Sequence, residues 1–138
     1  MKNYILILLL SFQGILIAQQ TPKQLIDRFF SSYQTQPEKA VRNLYATNPW
    51  ANKAQKDIDH VVEVINSLPA SMGNYHGNQL IDKKKLGNSF VKYIYLVKYD
   101  RQPIVFYFKL YQPDKKWMIY EFSLNDKIDI VLDKIGGK

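Results

Sequence analysis

The chain has 138 residues and is basic, with 19 Lys and Arg against 12 Asp and Glu and a formal net charge of +7. It has no cysteine, which excludes a disulfide framework and a lipid-modified N-terminal Cys. Such a charge balance suits nucleic acid, anionic lipid headgroups or acidic glycans as partners. The N-terminus narrows that choice. "MKNYILILLLSFQGILIAQQTP" places Lys2 ahead of an apolar stretch from Tyr4 to Ile17, with Ala18 before polar residues, which is the layout of a secretory signal peptide. The apolar stretch is shorter than the roughly 20 residues that span a bilayer, and Gln13 and Gly14 interrupt it. Export with cleavage near Ala18 is therefore expected, to a periplasm or the medium, and it argues against nucleic acid. Removing residues 1–18 of the 138 leaves 120, residues 19–138, enough for a single domain with one core. Lys2 is the only charge lost, so the charge falls from +7 to +6.

Thr21, Pro22 and Gln24 start the first helix, with Thr as N-cap, Pro in the first turn and Gln able to close a capping box. Leu25, Ile26, Phe29, Phe30 and Tyr33 follow on one face. A second helix begins at Pro37 and presents Ala40, Val41, Leu44 and Tyr45. After Asn48 and Pro49, a third carries Ile58, Val61, Val62, Ile65 and Leu68, and Pro69 is expected to stop it. Beyond "ASMGN" the apolar period changes from 3.6 to 2, and four antiparallel strands are expected up to about Leu124. Turn signals at Gly87 with Asn88, at Asp100 to Pro103 and at Pro113 with Asp114 divide them. Ile128, Val131, Leu132 and Ile135, followed by Gly136, mark a short C-terminal helix. The fold class is α+β: three N-terminal helices packed on a curved four-stranded antiparallel sheet, with that last helix after it.

The stretch Phe90 to Leu124 holds six of the ten tyrosines and four of the seven phenylalanines. A two-residue loop at Arg101 and Gln102 sets Tyr99 opposite Ile104, Val97 opposite Phe106, Tyr95 opposite Phe108 and Tyr93 opposite Leu110. Those residues form the core face, joined by Met118, Tyr120, Phe122 and Leu124 if a three-residue loop follows Gln112. The opposite face carries Ile94, Leu96, Val105, Tyr107, Tyr111, Trp117 and Ile119 among lysines, more apolar than a face left to water. Either the C-terminal helix covers it or another chain does. Leu96, Tyr107, Tyr111, Trp117 and Ile119 are the candidate interface, for a homodimer or a protein partner.

The order of elements, with "MGNYHG … YLVKYDRQPIVFYFKLYQPDKKWMIYEF", resembles the NTF2-like superfamily of cone-shaped α+β domains over the whole of residues 19–138. The resemblance implies a cone between helices and sheet. In the enzymes of that superfamily the cone holds an acid or base, and other members are binding or dimerisation modules, so the fold does not choose among functions. No catalytic motif of those enzymes matches this chain residue by residue.

His60 lies opposite the Ile58, Val61, Val62 and Ile65 stripe and is expected in solvent, among Asp57, Asp59 and Glu63. His76 is better placed. A two-residue turn at Gly87 and Asn88 sets His76, Asn78, Leu80 and Asp82 on the core face, opposite Tyr99, Val97, Tyr95 and Tyr93. His76, Asn78, Asp82, Tyr93 and Tyr95 are then the candidate ligand-binding group, although a loop longer by one residue sends the four strand residues to the other face. Two histidines sixteen residues apart, with no Cys and no carboxylate pair at ligand spacing, give no metal site. There is no Gly-x-Ser-x-Gly elbow and no Gly-rich phosphate loop, and no cofactor is implied. "GNSFVKY" is similar to part of the aromatic strand motif of RNA-recognition domains, but the preceding helices and the export signal argue against it. The expected function is that of an exported, non-enzymatic domain binding a partner chain or a small apolar ligand, without a membrane span after cleavage. The alternative is a small isomerase or lyase using the cone.

Overall fold

The computed structural model describes residues 19–136, so the expected signal peptide, residues 1–18, lies outside the described residues. Helix α1, Pro22–Tyr33, starts as its sequence directs: the Thr21 hydroxyl accepts from the Gln24 N–H, and the Gln24 side chain accepts from the Thr21 N–H. Leu25, Ile26, Phe29, Phe30 and Tyr33 are all buried. Helix α2, Pro37–Tyr45, buries Ala40, Val41 and Leu44. A 3-10 turn at Ala51–Ala54 leads into α3, Gln55–Met72. Pro69 does not end α3, as its sequence had suggested, but sits inside its last turn. Its ring is exposed, so the missing donor falls on the solvent side, and the Pro69 carbonyl still accepts from the Gly73 N–H at 3.1 Å. The stop is Gly73, with φ 83°, where an added Cβ would lie 2.5 Å from the Asp100 carboxylate.

Four strands follow: β1 Tyr75–Leu86, β2 Phe90–Tyr99, β3 Pro103–Tyr111 and β4 Met118–Asn125, in the order β1-β2-β3-β4, all antiparallel. Helix α4, Ile128–Gly136, closes the chain. This is the expected α+β architecture with its curved sheet. The inner face meets α1 to α3 in one core in which Phe29 touches Phe30, Tyr33, Phe106, Phe108 and Phe122, with ring centroids 5.1 to 6.4 Å apart.

The β2–β3 register differs from the expected one by two residues: Val97 faces Ile104, Tyr95 faces Phe106 and Tyr93 faces Phe108. The loop is wider because the chain after Lys98 stays tied to the α3–β1 junction, with the Asp100 N–H on Asn74 O at 3.2 Å and the Arg101 N–H on Met72 O at 3.0 Å. A slip of two keeps each side chain on its face, so the core residues are those expected. Irregularities of one residue do not. A bulge in β4 turns Ile119 into the core, 0% exposed, and leaves Tyr120 60% exposed. Trp117 packs against the same core. That edge of β4 is occupied by polar side chains from the end of α2: Thr47 Oγ1 accepts from the Ile119 N–H, Asn48 donates to Ile119 O, and Tyr45 bonds both N–H and C=O of Phe122. These bonds replace a fifth strand on that edge.

Candidate functional site

The expected ligand group is only partly assembled. The β1–β2 turn is one residue longer than a two-residue hairpin, and two bulges then reset the pairing, at Ile81 and at His76. Between them Asn78 faces Val97 and Leu80 faces Tyr95, as expected. Beyond them the faces invert. Asp82 pairs with Ile94 and lies on the outer side, 3.7 Å from Lys84, while Lys83 takes the place opposite Tyr93. His76 leaves the inner face altogether; it is half-exposed, and its Nε2 bonds Asp100 Oδ1 at 2.5 Å. That bond and the Asn74 N–H hold the Asp100 carboxyl below the usual carboxylate range, the backbone bond contributing most. Asn78 is exposed and donates to Tyr75 Oη at 2.9 Å. Tyr93 and Tyr95 do lie side by side on the inner face, stacked with centroids 6.5 Å apart.

The candidate interface is not assembled either. Trp117 and Ile119 belong to the inner core. Ile94 and Val105 form a second, small cluster with Val131 of α4, against which Leu96 and Tyr107 pack from the sheet and Ile128 and Ile135 from the helix. Tyr111 stands apart, 37% exposed. Leu132, expected on the inward side of α4, is 61% exposed. The apolar outer face therefore has a cover from its own chain.

Aromatic side chains fill the space between α1 and the sheet, and among the described residues no charged side chain is buried. The Tyr95 hydroxyl is buried with no hydrogen-bond partner among the described residues, and burial, with Asp27 and Tyr93 nearby, pushes its pKa up to about 12. Tyr33 and Tyr99 join hydroxyls at 2.5 Å at the other end of the core. Among the described residues there is no group of three His, Cys, Asp or Glu able to hold a metal ion, and no helix long and apolar enough to cross a membrane.

What the fold does build is a groove of about 260 Å³ between the start of α1 and the β1–β2 hairpin. Pro22, Phe90, Val91, Tyr93 and Trp117 give it an apolar wall. Lys23, Lys83 and Lys85 give it charge. Strand alternation puts Lys83 and Lys85 on one face, opposite Tyr93 and Val91, and the Lys83 ammonium lies 5.2 Å from the centre of the Tyr93 ring. Of the expected ligand residues, Tyr93 alone borders it. The lysines were missed because the bulge at Ile81 is silent in the sequence. The one available signal was the alternation within Asp82-Lys-Lys-Lys-Leu86, which puts a basic residue on either face whatever the register. A second cleft, of about 230 Å³ between α1 and α2, has among the described residues Arg28 as its only charged wall residue and no aromatic wall apart from Phe29, itself a core residue. Comparison with protein-family models, with curated proteins and with solved structures gives no match to this chain.

Proposed function

We propose that this chain is an exported, NTF2-like domain that binds a small apolar ligand and has no catalytic activity of its own. The observation that carries the reading is the groove walled by Phe90, Tyr93 and Trp117, open at the surface and continuous with the aromatic core. Such concave apolar sites with a few polar groups are where small molecules bind. An isomerase or lyase would call for a buried acid or base with a shifted pKa. The His76–Asp100 pair is half-exposed and lies at the opposite end of β1 from the groove. Lys2, the apolar run to Ile17 and Ala18 support the export half of the reading.

The test uses protein recovered from the exported fraction, expected to begin near Gln19. It is titrated with the neutral fluorophore N-phenyl-1-naphthylamine, with tryptophan emission as a second signal. Saturable one-to-one binding is expected, lost in Trp117→Ala and kept in Trp50→Ala, since Trp50 is 63% exposed and does not border the groove. Absence of saturable binding overturns the reading.

A further inference from the structure

We infer that the ligand of the groove is an anionic amphiphile, an apolar body carrying a carboxylate, sulfonate or phosphate that Lys83 and Lys85 hold at the rim. This rests on the proposed binding function and adds the charge of what is bound. Among the described residues, the groove is lined by three lysines and by no carboxylate. Lys23 has a partner on its own helix, Asp27. Lys83 and Lys85 take part in no ion pair among the described residues. The acid that precedes them, Asp82, is turned to the other face by the bulge at Ile81 and sits near Lys84. One irregularity thus removes a negative charge from the groove and inserts a positive one.

The helix that forms the other wall acts in the same direction. The N-terminus of α1 borders the groove, and its first turn contains no acidic residue, although that is where Asp and Glu are favoured. Thr21 and Gln24 satisfy part of the terminus, and the positive end of the helix dipole remains facing the groove. The Lys83 ammonium is held over the Tyr93 ring, so a charge stands directly above the apolar wall. A ligand whose apolar part lies on Phe90, Tyr93 and Trp117 would bring its head within reach of both lysines.

Two dyes that share one ring system separate the two levels of this reading: 8-anilinonaphthalene-1-sulfonate and its neutral counterpart N-phenyl-1-naphthylamine. The sulfonate is expected to bind about tenfold more tightly, the scale of one charge-assisted hydrogen bond. Lys83→Ala with Lys85→Ala is expected to abolish that advantage, bringing the affinities for the two dyes to within about twofold of each other. Lys39→Ala with Lys127→Ala, an equal loss of charge at exposed sites outside the groove, is expected to change neither. Equal affinities for the two dyes, or the same loss from the remote pair, overturn the anionic reading while the apolar site stands. If neither dye binds saturably, the proposed function falls and this inference with it.

Discussion

The sheet has apolar residues on both faces, and the two faces are made in different ways. The inner core draws on α1, α2, α3 and every strand except β1, whose Tyr75 only packs against it from the side. The outer cluster has three buried residues, Ile94, Val105 and Val131, and depends on one nine-residue helix at the end of the chain. That helix shows Ile130 and Leu132 to solvent, 44% and 61% exposed, so its grip is one-sided. A third layer added to a two-layer domain need only cover what the second leaves apolar. In sequence, a covered outer face and a face waiting for another protein look alike, because both place Ile, Leu and Tyr at alternate strand positions.

The largest break in this comparison comes from the inner side. Phe108 is 0% exposed and touches Phe29, Phe30, Tyr95 and Phe122. Phe108→Ala is expected to lower stability by about 3 to 5 kcal/mol through the cavity it leaves. The check is the denaturant midpoint, and an unchanged midpoint would refute the core as described. On the outer side, Val131→Asp places a carboxylate where a 3% exposed valine meets Ile94 and Val105. The expected loss is smaller, about 1.5 to 3 kcal/mol, the scale of one buried valine. A second readout distinguishes the two faces. With α4 lifted, Ile94, Leu96, Val105 and Tyr107 become an apolar patch, and sedimentation velocity is expected to show concentration-dependent association that Phe108→Ala does not give at matched stability. A Val131→Asp protein that stays monomeric with native stability would mean that α4 does not cover the sheet.

The element order, the helix starts and nearly the whole inner core could be read in the sequence because each rests on a repeated signal. Five residues in α1 agree on one face, and Thr21, Pro22 and Gln24 agree on its start. Face assignment along β2 and β3 also survives the two-residue slip, since strand periodicity is insensitive to even shifts. What failed were single-residue irregularities within the strands. Ile81 and His76 bulge out of β1, and β4 bulges where Tyr45, Thr47 and Asn48 grip its edge. Those grips join residues more than seventy positions apart, so no local pattern announces them. Each bulge inverts the faces beyond it, which is why Asp82, Trp117 and Ile119 were assigned to the wrong sides and Lys83 was overlooked. The candidate site was legible only in Tyr93.

The smallest expected effect sharpens the comparison from within the inner core, at a hydroxyl–hydroxyl contact between a helix tyrosine and a sheet tyrosine. Tyr33 and Tyr99, 3% and 8% exposed, share a hydrogen bond between their hydroxyls. Tyr33→Phe is expected to cost about 1 kcal/mol, because it leaves the Tyr99 hydroxyl without that partner. Adding Tyr99→Phe should then cost less than Tyr99→Phe alone, since no unpaired hydroxyl remains. The same pair gives a pH signature. Burial first, and the neighbouring Tyr99 next, raise the Tyr33 pKa above the ordinary tyrosine value of 10.0. A folded-state value raised above the unfolded one means that the folded protein holds the proton more tightly. The stabilisation is therefore complete below about pH 10 and is lost progressively as the pH rises beyond it. Denaturant midpoints measured from pH 8 to 11 should fall at the alkaline end in the wild type and fall less in Tyr33→Phe. An equal fall in both proteins would assign the alkaline loss to Tyr95 and Tyr99 instead, whose own values burial also raises.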